Sequence, residues 1–108
     1  MTIAMTPSPP YYAAIFSAQR NDGDHGYDEM AARMVELVAT MPGYLGIESA
    51  RDEKGFGITV SYWESEEAIT NWKRNVEHLQ AQRRGRGEWY KEYNVRVAKV
   101  ERAYELKK

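Results

Sequence analysis

Apolar residues fall in two rhythms along this chain, one of period two and one of helical period, and the rhythms take turns. In Tyr11–Gln19 (YYAAIFSAQ) both alternating faces are apolar, with Tyr12, Ala14, Phe16 and Ala18 against Tyr11, Ala13 and Ile15. A strand covered on both sides belongs in the interior of its sheet. From Tyr27, the positions Tyr27, Met30, Met34, Leu37, Val38 and Met41 recur at helical spacing, behind Asp28 and Glu29 at the positive end of the dipole. Pro42-Gly43 stops that helix. Tyr44–Asp52 alternates weakly and carries Glu48 and Arg51, as an edge strand does. Asp52-Glu53-Lys54-Gly55 reads as a hairpin turn, and Phe56, Ile58, Val60 and Tyr62 then alternate cleanly as a second interior strand.

Ser65 is placed to cap a second helix, with Glu66 and Glu67 in its first turn. Ile69, Trp72, Val76 and Leu79 form its inward stripe, and Gly85 and Gly87 end it. The last strand runs from Trp89 to about Tyr104, with Tyr93, Val95 and Val97 set among Lys91, Lys99 and Glu101. Residues 1–10 (MTIAMTPSPP) form a flexible lead-in broken by prolines, 11–104 the domain, and 105–108 a frayed end.

The order β-α-β-β-α-β, with right-handed crossovers, puts strands one and three in the middle of a four-stranded antiparallel sheet. This is an α+β ferredoxin-like sandwich. Both helices then cover one sheet face, while the middle strands are apolar on both. An apolar face of several hundred Å² left bare is a site of association, so the expected partner is a second copy of the chain, packed sheet to sheet.

Composition narrows the function. Lys plus Arg number 15 against 16 Asp plus Glu, which gives no field for general nucleic-acid or membrane binding. The run Arg83-Arg84-Gly85-Arg86, followed by Trp89-Tyr90, has the mix of cations and rings seen in single-strand binders. Its place at a helix carboxyl end explains the cations without nucleic acid. There is no cysteine, and the two histidines stand far apart, so neither a thiol nucleophile nor a dedicated metal site is expected. Asp22-x-Asp24-x-Gly26 lacks the later glutamate of a calcium loop and reads as a plain turn. His25, within it, reads as solvated. No apolar run approaches the roughly 20 residues of a membrane span. The first arginine is Arg20, so a charged leader is not expected and a cytoplasmic protein is.

The segment SYWESEEAITNW, the spacing of His78 and Gln82, and the closing WYKEYNVRVAKVERAY make the chain resemble the antibiotic biosynthesis monooxygenase (ABM) domain from Tyr11 to Tyr104. The resemblance implies a dimeric α+β barrel. It also implies oxygenation of an aromatic or quinone-like small molecule without metal, flavin or other cofactor, through a substrate carbanion that meets oxygen directly. Heme-degrading members resemble one another in a first-strand Asn and a His ten residues beyond a helix Trp. Here Gln82 stands ten residues beyond Trp72, and YYAAIFSAQ has no Asn.

Such chemistry needs an apolar cavity, a base and donors for an anion. Between sheet and helices, Trp72 with Phe16 or Tyr62 is expected to form walls. His78 is expected as base or donor, and Arg83 as a group that steadies the anion. On a straight helix His78 lies about 120° from Trp72, on the flank. The competing expectation is a non-catalytic dimeric barrel that binds a small hydrophobic ligand or serves a stress role. An enclosed pocket with His78 pointing inward favours the enzyme; His78 in water favours the binder.

Overall fold

The computed structural model of the chain describes residues 2–23, 26–83 and 89–107, and the side chains of residues 79–83 lie outside that description. The elements are β1 (Tyr11–Arg20), α1 (Tyr27–Val38), β2 (Tyr44–Arg51), β3 (Phe56–Trp63), α2 (Glu66–Arg83) and β4 (Tyr90–Val100). The strands pair antiparallel in the order β2-β3-β1-β4. The expected ferredoxin-like sheet is therefore present, with β1 and β3 in its middle.

Local signals account for the joints. Ser65 Oγ accepts from the Ala68 N–H at 3.1 Å, so it caps α2 as its position suggests. Asp52 Oδ1 accepts from the N–H groups of Lys54 and Phe56 at 2.9 and 3.0 Å, closing the β2–β3 turn with Gly55 at φ 91°. At α1 the cap is Gly26 at φ 82°, and it supplies no side-chain hydrogen bond. The helix stops at Val38, earlier than Pro42-Gly43 suggests, because Thr40 and Met41 turn back onto the Leu37 and Val38 carbonyls in tighter bonds.

Two strands depart from plain alternation. The pairing of β2 slips between Tyr44 and Gly46, so Leu45 is an extra residue and Tyr44 and Ile47 share one face. In β4 the partners step from Glu92 to Tyr90 opposite Gln19 and Arg20, leaving Lys91 over, so Tyr90 and Tyr93 share a face. At its other end β4 stops at Val100 rather than near Tyr104. Val100 pairs with Tyr11, the first residue of β1, and beyond it the ladder has no partner.

Which face the helices cover is set by the core of Ala14, Val38, Trp63, Ala68 and Ile69, with Tyr12, Met41, Tyr44, Ile47 and Trp72 packed against it. Trp63 is 0% exposed. The bulkier face of β3, Phe56, Ile58, Val60 and Tyr62, therefore points away from the helices. On that open face β1 adds Ala13 and Ile15, while β4 presents Glu92, Asn94 and Arg96. The face is apolar through its centre and polar along one edge. The N-terminal segment holds to it: the Ala4 N–H donates to Glu48 Oε2 at 3.0 Å, and the Thr6 hydroxyl donates to the Tyr11 hydroxyl at 3.0 Å.

Gly43 sits at φ 84°, and a Cβ there would lie 2.7 Å from the Cβ of Ala68. Gly43→Ala adds left-handed strain to a clash against the buried start of α2. Its urea midpoint is expected to fall by an amount equal to about 2 kcal/mol or more. A loss below about 0.5 kcal/mol, the size of an ordinary surface change, would contradict the packing.

Candidate functional site

The helix-covered side of the sheet is paved with small residues. Along β1 it shows Tyr12, Ala14, Phe16 and Ala18; across β3 their partners are Trp63, Ser61, Thr59 and Gly57. On β4 the partners of the same four β1 residues are Lys99, Val97, Val95 and Tyr93. Cross-strand partners lie on one face, so these three rows form a common floor. Tyr93, Val95 and Val97 are 46%, 51% and 49% exposed, although they face the helix side. The helices leave this stretch of β4 uncovered, and the result is an open apolar trough along Tyr93, Val95 and Val97 beside Phe16.

Aromatic groups close both ends. At one, Trp63 and Trp72 stack with centroids 6.2 Å apart and planes at 29°, and Tyr44 meets Trp63 edge-on at 5.7 Å. The indole N–H of Trp63 donates to Ser61 Oγ at 2.8 Å, which satisfies the buried ring's polar edge. At the other end Phe16 stacks on Tyr93 at 5.3 Å and meets Tyr90 edge-on at 5.4 Å. Tyr90 in turn abuts Tyr27 of α1, beside Met30 and Trp89. Phe16 lies four residues along β1 from Tyr12, the partner of Trp63, so the two ends are roughly 13 Å apart at strand rise.

Of the residues singled out in the sequence, Trp72 and Phe16 are on this face. Tyr62 is not. It lies on the open face, where its ring meets Tyr11 at 5.8 Å and its hydroxyl donates to Glu48 Oε1 at 2.6 Å. Alternation along β3 forces this, since Trp63 next to it points at the helices. His78 is exposed on α2, on the flank that its offset from Trp72 gives it. The Arg83 side chain, His25, Gly85, Gly87 and the remaining basic run lie outside the described residues. Among the described residues no cluster of three or more His, Asp or Glu is placed to hold a metal ion. No helix among them is long and apolar enough to cross a membrane.

Two concavities of about 400 Å³ each lie on the open face. One is walled by both terminal segments around Tyr11, Glu48 and Tyr62, the other by Gln19, Phe56, Glu92, Asn94 and Arg96. The first mixes the Tyr11 and Tyr62 rings with Glu48, and the second sets Phe56 among Glu92 and Arg96.

Three phenols are shifted. Burial raises that of Tyr44. Burial raises that of Tyr90 strongly, helped by the hydrogen-bonded Tyr27 hydroxyl and opposed by Arg51 and Arg20. The Tyr62 phenol is pushed up to about 12, first by burial and then by its bond to Glu48 and that carboxylate's charge. A folded-state value above the unfolded value of 10.0 makes the native state hold its proton longer. The stabilisation is complete below pH 10 and is lost as pH rises toward 12. Alkaline unfolding scans are expected to show that loss, and Tyr62→Phe to reduce it; a loss of the same size in the variant would contradict the raised Tyr62 phenol.

Tyr90, Tyr93, Val95 and Val97 escape a reading by sequence motif. Their signal is the alternation of Tyr93, Val95 and Val97 with Glu92, Asn94 and Arg96, which the shared parity of Lys91, Lys99 and Glu101 obscures.

An open-faced α+β sandwich with two helices over one side of a four-stranded antiparallel sheet is the class of fold these residues define. A sequence profile described as antibiotic biosynthesis monooxygenase matches residues 10–84, and the chain belongs to that family. An uncharacterised protein of Bacillus subtilis (strain 168), YqjZ, is 54% identical over 100 residues, covering 93% of this chain and 88% of its own. Among solved structures, a protein of unknown function from Nitrosomonas europaea is similar with a TM-score of 0.73 at 10% identity, covering 94% of this chain and 99% of its own. SnoaB, a cofactor-independent oxygenase from Streptomyces nogalater, is similar with a TM-score of 0.63 at 11% identity, covering 93% and 100%. At such identities these two likenesses speak for the fold.

Proposed function

We propose that the chain is a cofactor-independent oxygenase acting on a flat aromatic or quinone-forming small molecule held in the helix-side trough. The observation that carries this reading is the half-exposed apolar row of Tyr93, Val95 and Val97 on the helix side, with Phe16 stacked on Tyr93 beside it. Family membership and the oxygenase activity named for SnoaB support it. In such a reaction a phenol loses its proton and the ring anion gives electrons to oxygen. One oxygen atom enters the ring as a carbonyl and the other leaves as water with the displaced hydrogen. A phenol with a free para C–H thus becomes a quinone, four electrons passing to one O₂ without an outside reductant. Phe16, Tyr93, Val95 and Trp72 supply apolar contact to the flat ring system.

The test is oxygen uptake with a panel of hydroxynaphthalenes and anthrones, with chelator present and no flavin added. Quinone formed in equal amount to oxygen consumed is the expected result; no uptake across the panel overturns the reaction. A non-catalytic ligand-binding role is the second reading, favoured by the exposure of His78. It predicts binding of the same compounds without oxygen uptake.

The functional unit proposed is a homodimer through the open sheet face, where Phe56 and Ile58 are exposed beside Ile15 and Val60. Family members are commonly dimers. Sedimentation at micromolar concentration is expected to show twice the 12.5 kDa of one chain; a single 12.5 kDa species would remove the dimer.

A further inference from the structure

One row of residues crosses the open sheet face with opposite charges at its two ends. Glu48 of β2 pairs with Val60 of β3, Val60 with Ile15 of β1, and Ile15 with Arg96 of β4. The row therefore reads acid, apolar, apolar, base. Its ends stand three strand spacings apart, roughly 14 Å, which separates the two charges within one chain. Arg96 is exposed. Glu48 is half-buried and held in place: its Oε1 accepts from the Tyr62 hydroxyl at 2.6 Å and its Oε2 from the Ala4 N–H at 3.0 Å. A carboxylate has about four acceptor positions, so room remains for a further donor. The flanking rows alternate in size. Tyr62 has Ala13 beside it on β1, and Ile58 has Ser17.

We propose that Arg96 of each chain pairs with the partner's Glu48 across the open face, fixing a homodimer whose two-fold axis runs along the strands between β1 and β3. This rests on the open face being the dimer interface. A half-turn about that axis exchanges the edges of the sheet, β2 with β4, and its middle strands, β3 with β1, while each row stays opposite itself. Glu48 then stands over the partner's Arg96, and Val60 over the partner's Ile15. Packed sheets lie about 10 Å apart, a gap that an extended Arg and a Glu bridge end to end. In the flanking rows Tyr62 meets the partner's Ala13 and Ile58 meets the partner's Ser17, so bulk meets space on both sides of the pair. The other two-fold that lays these faces together runs across the strands. It sets each edge over itself, bringing Glu48 toward Glu48 and Arg96 toward Arg96, and like charges brought together at an interface oppose association. The charges thus choose between two ways of closing one apolar face. At a crossing angle of about 30° the register holds near the charged row and drifts away from it. Glu92, two rows from Arg96, is therefore not set over one particular residue.

Sedimentation equilibrium reads the dimer dissociation constant of the full chain and of two variants, Arg96→Glu and Glu48→Arg. Each variant alone sets like charges together twice per dimer, and its dissociation constant is expected to rise at least about tenfold. Mixed in equal amounts, the two variants regain both pairs in one heterodimer, whose constant is expected to return to within about threefold of the parent's. Should Glu48→Arg not fold, as judged by its melting curve, cross-linking decides, since the chain has no cysteine of its own. Ala50 and Asn94 are the exposed ends of the next row. A short bismaleimide is expected to join chains that carry both Ala50→Cys and Asn94→Cys into covalent dimers, and to leave chains with Asn94→Cys alone unjoined. If the parent dimerises but Arg96→Glu dimerises as tightly, the mixture forms no heterodimer, or Asn94→Cys alone is joined, the pairing falls while the dimer stands. If the parent sediments as a single chain of 12.5 kDa, the dimer falls and takes the pairing with it.

Discussion

Trp63→Ala is expected to remove about 3–5 kcal/mol of stability, a large share of the 5–15 kcal/mol typical of a domain. The residue is 0% exposed and stands where both helices meet the sheet, packed with Val38, Ala68 and Ile69. Its loss leaves a void under Trp72 and Tyr44, which touch it through their rings. It also strips Ser61 of the indole donor its buried hydroxyl accepts from. At about 4–8 °C per kcal/mol, the melting temperature falls by roughly 12 to 40 °C. Urea unfolding followed by the remaining tryptophans measures it. A loss below about 1 kcal/mol would mean that the cluster collapses without the ring, and that the Trp63–Trp72 contact does not organise the core.

The second large effect concerns binding rather than stability. Val95 is half-exposed on the floor of the trough, and its neighbours across the strand and along it are Phe16, Tyr93 and Val97. Val95→Trp keeps a residue suited to a strand and buries no polar group, so stability is expected to stay within about 0.5 kcal/mol. The added indole fills the slot. Affinity for hydroxylated polycyclic ligands, and oxygen uptake with them, are expected to drop at least tenfold, or about 1.4 kcal/mol. Fluorescence titration on the folded variant checks this, and an affinity within threefold of the parent chain would place the ligand elsewhere.

Much of this fold is legible in the sequence because its joints are marked locally. Ser65 caps α2, Asp52 to Gly55 make the turn, and the doubly apolar β1 announces a central strand. The site is less legible, for two physical reasons. Alternation sorts a strand into two faces but does not say which one the helices cover. In β3 the eye follows Phe56, Ile58, Val60 and Tyr62, whereas the core is on the side of Gly57, Thr59, Ser61 and Trp63, so Tyr62, expected between sheet and helices, stands on the open face. The extra residues Leu45 and Lys91 break the period of two, hiding that Tyr44 joins Ile47 and Tyr90 joins Tyr93. His78 illustrates the reverse case: its flank position follows from helix geometry, and the structure leaves it exposed.

The surplus residue at Lys91 has a wider meaning for how this scaffold changes over time. Because the ladder already steps over Lys91, losing that one codon would restore plain alternation with Tyr90 still opposite Arg20 on the helix side and the paired rows from Glu92 onward in place. The position of that ring is thus separable from the length of the strand that carries it, and relatives can gain or shed a residue there without disturbing how they fold.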